Sequence, residues 1–216
     1  MSVRDFMSEK LITVTPETPI FDAVDLMKKN NIHRLPVVTD GKLVGLITEG
    51  VIAEAMPSTA TSLSVFEVNY LLNKTTVKDI MVKKVVTIAE DALLEDAIYR
   101  MRQHQIGVLP VLAGDKLVGI ITNNDIFDAF LEITGYKENG IRVTLEIGEN
   151  HKGILADIAK RLADADYDIL TVIVLPRPNK ITLELQVATD DGAAVKKLLS
   201  DAGYKVIQAV PTRVRD

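Results

Sequence analysis

The stretch Lys116-Leu-Val-Gly-Ile-Ile-Thr122 repeats one that the chain contains 74 residues earlier, Lys42-Leu-Val-Gly-Leu-Ile-Thr48. The similarity extends in both directions, so that residues 3–52 align with residues 77–126 without a gap and 19 of the 50 aligned positions are identical. A fixed offset over this length indicates an internal duplication, with each copy forming one half of a pair. The copies differ at one position of chemical interest, because Asp125 of the second copy corresponds to Val51 of the first.

Composition restricts the classes of partner. The 216 residues include 47% apolar residues and no cysteine, and 30 acidic against 25 basic side chains give a net charge of −5. Such a composition is typical of a soluble globular protein, and the charge argues against nucleic acid as a partner. Without cysteine there are no disulfides, thiolate zinc sites or cysteine nucleophiles. The N-terminal residues lack the apolar core of a signal peptide, and the longest apolar run, Ile169–Leu175, is far shorter than the roughly 20 residues of a membrane span. We therefore expect a cytoplasmic protein without a membrane partner.

Hydrophobic periodicity predicts the element order β-α-β-β-α in each copy. In the first copy, Leu11–Thr15 alternates as a short strand, and a helix should follow with Thr18 as its N-cap and Pro19 as its first residue. A β-hairpin closed by Asp40-Gly41 and a second helix complete the copy. The second copy should end in a helix over residues 124–131. The helix positions expected to face the core are Ile20, Ala23, Val24 and Met27 in the first copy and Leu94, Ala97, Ile98 and Met101 in the second.

Two further regions have patterns of their own. Between the copies, Ser64 and Glu67 match the capping-box pattern, and an amphipathic helix should continue to Lys74. Its apolar face comprises Val65, Val68, Leu71 and Leu72. After a boundary loop at residues 135–140, the pattern becomes β-α-β-β-α-β, which is the ferredoxin-like arrangement. The first helix of this region should turn Leu155, Ile158, Ala159 and Leu162 inward.

The duplicated unit, with its Leu-Pro-Val and Gly-h-h-Thr-x-x-Asp signatures (h, apolar), resembles a tandem pair of cystathionine-β-synthase (CBS) domains, the Bateman module. Residues 140–212 resemble an ACT domain, a small regulatory fold that often binds amino acids. The order of the two regions is similar to that of the acetoin-utilization AcuB family. The resemblance implies an α/β (α+β) chain with CBS repeats at residues 1–56 and 77–134, a linker at 57–76 and an ACT domain at 140–212.

Bateman modules commonly bind adenosine nucleotides in clefts between their repeats. In that role, the carboxylate of Asp125 would accept hydrogen bonds from both ribose hydroxyls, and Thr122 would donate to a phosphate or ribose oxygen. The complete site implied by the resemblance consists of Lys10, Ile12, Ile32, His33, Arg34, Ile120, Thr122, Asn124 and Asp125, with Ile120 on an adenine face and Arg34 near a phosphate. A second, weaker cleft would use Thr48, Lys84 and Val86. Two structural alternatives remain open, since Thr122 and Asp125 could only cap a helix and His33 and Arg34 could lie on an exposed strand edge.

The ACT resemblance implies an amino-acid site at the loop residues Glu149, Asn150, His151 and Gly153. Taken together, these features predict a non-catalytic sensor of an adenosine-containing ligand, of the class of AMP, ADP, ATP, S-adenosylmethionine or NAD, with no cofactor and no metal. It should act as a homodimer on an unidentified regulated protein. One alternative is a degenerate CBS scaffold without a ligand. Another is an enzyme, against which stand three widely spaced histidines and the absence of G-x-S-x-G and H-E-x-x-H motifs.

Overall fold

The structure, a computed structural model, describes residues 1–55, 74–148, 152–178 and 180–212. These residues form two compact units, Met1–Ile126 and Phe127–Asp216. Part of what the sequence predicts falls outside the described residues: the apolar face of the linker helix (Val65, Val68, Leu71 and Leu72) and the loop residues Glu149, Asn150 and His151.

The first unit contains one five-stranded sheet and the helices of both copies. Its helices are α1 (Ile20–Asn30), α2 (Glu49–Ala55), α3 (Val77–Ile80), α4 (Leu94–His104) and the start of α5 (Asn123–Ile133). Its strands are β1 (Arg34–Thr39), β2 (Lys42–Thr48), β3 (Ile88–Ala89), β4 (Val108–Ala113) and β5 (Lys116–Thr122). In the strand order β1-β2-β5-β4-β3, the two hairpins meet at an antiparallel pair between Lys42 and Lys116. These are equivalent positions 74 residues apart, so the copies lie about an approximate two-fold axis.

The predicted hairpin is confirmed, whereas two predictions at the start of the first copy are wrong. Asp40 and Gly41 have φ values of 51° and 76°, as the two central residues of a type I′ turn require. No strand forms over residues 11–15, where only Val14 makes an isolated bridge to Val37. Helix α1 begins at Ile20 after a Pro19 N-cap. The predicted N-cap, Thr18, instead accepts the Thr15 backbone N–H at 3.1 Å.

The lead-in segment of each copy, which precedes its first long helix, packs against the other copy. Two residue pairs exchange both backbone hydrogen bonds in this way: Ser8 with Ile120, and Leu46 with Val82. Glycine permits the close approach, because a Cβ built on Gly119 would lie 2.4 Å from the sulfur of Met7. Gly45 and Met81 repeat the same contact at 2.4 Å. These contacts bring the residues that follow each lead-in segment beside the last strand of the other copy.

The helix faces of the first unit follow the predicted periodicity with one exception. Ile20, Ala23 and Met27 are buried in α1, as are Leu94, Ala97 and Met101 in α4. Val24 is partly buried against the same core, but its counterpart Ile98 is 36% exposed. The prediction that Ile98 faces the core is therefore wrong, because fewer residues of α4 than of α1 are covered by the core.

The second unit has the predicted order β-α-β-β-α-β. Its elements are β6 (Gly140–Ile147), α6 (Ile154–Asp164), β7 (Ile169–Arg177), β8 (Lys180–Val187), α7 (Gly192–Asp201) and β9 (Lys205–Thr212). The strands form one antiparallel sheet of order β7-β8-β6-β9, and both helices pack on one face of it. The inward face of α6 is Ile154, Ile158 and Leu162. The predicted Leu155 and Ala159 are exposed, because Ile154 is the first helical residue and sets the i, i+4, i+8 face.

The segment between α5 and β6 is bound to the other face of this sheet. The carbonyl of Thr134 accepts the Arg142 guanidinium at 2.6 Å, and that of Glu138 accepts the Thr212 hydroxyl at 3.1 Å. Gln186, only 1% exposed, donates its side-chain amide to Thr212. The loop at residues 135–140 is thus an ordered part of the second unit.

Candidate functional site

A cleft of about 310 Å³ lies in the first unit, between the lead-in of the first copy and the last strand of the second. This volume is within the range of small-molecule sites. Its walls are formed by Ser8, Lys10, Leu11, Ile12, Asn31, Ile32, His33, Arg34, Pro36, Ile120, Thr122, Asn124 and Asp125. All nine residues predicted for the nucleotide site are among them, so the structure brings together residues more than 100 positions apart. We call this the first cleft.

A second cleft, of about 460 Å³, lies in the equivalent place on the other side of the approximate two-fold axis. It contains the three predicted residues Thr48, Lys84 and Val86. Eleven of its fourteen lining residues are counterparts, at the 74-residue offset, of residues that line the first cleft. The three without such a counterpart are His33, Arg34 and Glu49. The presence of His33 and Arg34 in both clefts is a feature that the sequence pattern did not indicate.

Asp125 has one carboxylate oxygen in use and one without a partner. Its Oδ2 accepts both the backbone N–H and the hydroxyl of Thr122, each at 2.7 Å. The two residues therefore make capping bonds, and the Thr122 hydroxyl donates to Asp125. No described residue hydrogen-bonds to Oδ1 of this half-buried side chain.

Capping geometry by itself does not distinguish a ligand site. Thr76 and Asp79 make the same pair of hydrogen bonds, at 2.8 and 2.7 Å, at the start of α3 and outside both clefts. What sets Asp125 apart is its place in the wall of the first cleft. In the first copy, Thr48 accepts the Val51 N–H at 3.2 Å, so the helix start is similar, but Val51 has no carboxylate at the position of Asp125.

Both clefts are lined by two basic residue types, His33 just before β1 and Arg34 at its start. The Nδ1 of His33 lies 2.8 Å from a carboxylate oxygen of Glu49, and both side chains are more than half exposed. The Arg34 side chain is half-buried and has no hydrogen bond or ion pair with a described residue. It thus projects from β1 with its five N–H donors available to a ligand.

The second unit contains an apolar cavity that the sequence did not predict. It measures about 440 Å³ and is lined by Ile147, Gly153, Ile154, Leu155, Ala156, Val174, Ile181 and Leu183. Gly153, the one residue of the predicted amino-acid loop that the structure describes, borders it with a φ of 97° just before α6. The cavity lies between the start of α6 and residues of β6, β7 and β8, a tertiary arrangement that residue periodicity does not predict. Its described lining offers apolar contacts and backbone groups but no charged side chain.

The described residues contain neither a metal-binding cluster nor a helix that could span a membrane. Over the described ranges, no three His, Asp or Glu side chains cluster in a way that could hold a metal ion. None of the helices in those ranges is long and apolar enough to cross a membrane.

Comparison with known families and sequences matches mainly the first unit. The CBS domain family matches twice, at residues 3–58 and 77–132. The CBS domain-containing protein YhcV of Bacillus subtilis is 35% identical over 125 residues, which are 58% of this chain and 82% of YhcV. The L-aspartate semialdehyde sulfurtransferase of Methanocaldococcus jannaschii is 33% identical over 130 residues, 59% of this chain but only 23% of the enzyme. The shared part of that enzyme is thus about a quarter of its length.

Solved structures give the same picture. A Vibrio cholerae protein assigned to acetoin utilization (AcuB) has a TM-score of 0.53 and 30% identity, covering 64% of this chain and 98% of that one. The CBS domain pair of protein MJ0100, in complex with 5-methylthioadenosine and S-adenosyl-L-methionine, has a TM-score of 0.50, 32% identity and coverages of 60% and 95%. CBSX2 in complex with AMP has a TM-score of 0.53, 29% identity and coverages of 61% and 97%.

Proposed function

Because this chain belongs to the CBS domain family and carries a tandem pair of these domains, we propose that it is a non-catalytic regulatory protein that binds an adenosine-containing ligand in the first cleft. The observation that carries the proposal is that Asp125, whose Oδ1 has no partner among the described residues, lines the same cleft as Lys10 and Arg34. A carboxylate on one wall and two cations on the other match a ligand with ribose hydroxyls and a phosphate. The complexes of the MJ0100 pair and of CBSX2 support the same ligand class.

In the proposed complex, Oδ1 of Asp125 accepts the ribose hydroxyls and Ile120 covers the adenine ring. Thr122 orients the carboxylate by donating to Oδ2, and Arg34 and Lys10 bind the phosphate. His33, Ile12, Ile32 and Asn124 complete the walls. The second cleft binds ribose more weakly, because Val51 replaces the carboxylate there.

We assign the second unit an ACT-like role in dimerisation, with amino-acid sensing at Gly153 and the loop before it as its second use. Strand β7 is an edge of the sheet, and four of its apolar side chains, Leu170, Val172, Val174 and Leu175, are 37–46% exposed. The opposite edge, β9, carries Lys205 and Pro211, residue types that discourage strand pairing. Pairing of β7 with the β7 of a second copy would satisfy its backbone groups and cover its apolar side chains. The AcuB likeness favours a role in regulating acetoin utilization through an unidentified partner protein.

The competing function is a scaffold that has lost its ligand. It is favoured by the capping bonds of Asp125, which give this residue a structural role in the absence of any nucleotide. A thermal-shift panel of AMP, ADP, ATP, S-adenosylmethionine and NAD separates the two functions. A ligand present at 100 times its Kd should stabilise the folded chain by about 2.7 kcal/mol. If none of the five compounds raises the melting temperature at millimolar concentration, the chain is a scaffold that has lost its ligand.

A further inference from the structure

The two clefts are near copies of each other, yet the same two basic residues line both of them. His33 and Arg34 line both clefts, whereas the equivalent residues of the second copy are Gly107 and Val108. A symmetric module would supply one such pair to each cleft. This chain supplies one pair to both.

Arg34 reaches the second cleft because Gly107 has no side chain. A Cβ built on Gly107 would lie 3.3 Å from Nη2 of Arg34 and 2.8 Å from Nδ2 of Asn123. A larger residue would therefore displace both side chains. Since no described residue holds the guanidinium by a hydrogen bond or an ion pair, it can serve a ligand from either side.

The other charged groups in the clefts do not remove this dependence on Arg34. Lys10 belongs to the first cleft alone and Lys84 to the second alone. His33 is shared, but its Nδ1 lies 2.8 Å from a carboxylate oxygen of Glu49, which lines the second cleft. Arg34 is thus the common group best suited to a phosphate, because its planar fork makes two parallel hydrogen bonds to phosphate oxygens.

We propose that Arg34 is shared by the two clefts and makes their binding of phosphate-bearing adenosine ligands mutually antagonistic. A phosphate in either cleft engages the guanidinium, so a second phosphate-bearing ligand meets a cleft without it. The coupling is reciprocal, as linkage requires. A nucleoside without a phosphate is not affected. The inference rests on the proposed function, because it requires clefts that accept adenosine.

The test gives the second cleft the carboxylate that the first cleft has at Asp125, and then removes Arg34, which both clefts share. Val51→Asp gives the second cleft the missing carboxylate, and Thr48 is already placed to orient it as Thr122 orients Asp125. An acidic residue in the first turn of α2 also suits the helix dipole, so the variant should fold. Calorimetric titration of this full-length variant with adenosine and with AMP then gives the number of sites and the Kd of each. Val51→Glu, which also supplies a carboxylate, is the second variant if Val51→Asp does not fold.

We expect adenosine to fill two sites per chain with Kd values within about threefold of each other. AMP should fill one site tightly and the other at least about tenfold more weakly, the lower end of the loss of a charge-assisted hydrogen bond. In the double variant Val51→Asp/Arg34→Met, the two AMP sites should become equal, and both should be weaker than the tight site. Arg100→Met is the matched control, because Arg100 is exposed, donates to the Thr87 carbonyl at 2.7 Å and lines neither cleft.

Three results overturn the inference. They are two AMP sites of equal affinity in Val51→Asp, a difference between the AMP sites that persists without Arg34, and binding of adenosine at only one site in Val51→Asp. Failure of the wild-type chain to bind either adenosine or AMP is a separate outcome. It refutes the proposed function itself and the shared role of Arg34 with it.

Discussion

Replacing Asp125 by alanine tests the ribose contact, and the chain provides its own control. The change removes a charged acceptor from the first cleft together with two capping bonds of 2.7 Å to Thr122. Loss of a charge-assisted hydrogen bond costs about 1.5–3 kcal/mol, which corresponds to a roughly 10- to 100-fold weaker Kd for AMP. Loss of the cap alone should lower the free energy of unfolding by about 0.5–2 kcal/mol.

Asp79→Ala separates these two effects, because Asp79 makes the same pair of bonds to Thr76 but lines neither cleft. Both variants should lose similar stability in a urea titration, and only Asp125→Ala should lose affinity for AMP by calorimetry. Asp125→Asn should keep the cap and lose most of the affinity, since it keeps the shape of the side chain and removes its charge. An unchanged Kd in Asp125→Ala, or an equal loss in Asp79→Ala, would falsify the assignment of Asp125 to the ribose.

Three further predictions concern the second unit. Light scattering should give the mass of a dimer for this chain of 23.7 kDa. Val174→Lys on β7 should make the protein monomeric, whereas Ile207→Lys on β9 should not. A wild-type mass near 24 kDa at micromolar concentration would rule out the dimer. Hydrogen bonds from Lys180 and Lys205 lower the pKa of Glu146 from 4.5 to about 2, so its contribution to stability should be complete above pH 4.5 and be lost as the pH falls toward 2. Glu146→Gln should therefore flatten the decline in the free energy of unfolding across that window, and an identical decline in both proteins would contradict the assignment. If the unit senses an amino acid, backbone amides of residues 152–156 should shift in NMR spectra when the amino acid is added at millimolar concentration, and a panel of twenty without any shift would leave dimerisation as the role of the unit.

Much of the architecture could be predicted because it depends on local pattern. The Asp40-Gly41 turn, the helices after it and the β-α-β-β-α-β order of the second unit all follow from periodicity and turn chemistry. The errors lie where a neighbouring segment decides the outcome. Thr18 is a good N-cap residue in isolation, but in the fold its hydroxyl accepts the Thr15 N–H and α1 starts later. Leu155 matches a helical face, yet the start of α6 at Ile154 turns it outward.

The sequence by itself determined the duplication, and with it the pairing of two similar halves and the single carboxylate that distinguishes them. The 74-residue offset, and the presence of Asp125 in one copy where the other has Val51, can be read from the sequence without knowing how the chain packs. The tertiary structure alone decided which residues share a cleft. Hydrogen bonds such as that from Ser8 to Ile120 join segments more than 100 residues apart, and local periodicity reports only that a face is buried, not what covers it. For the same reason, only the fold shows that Arg34, a residue of the first copy, lines both clefts.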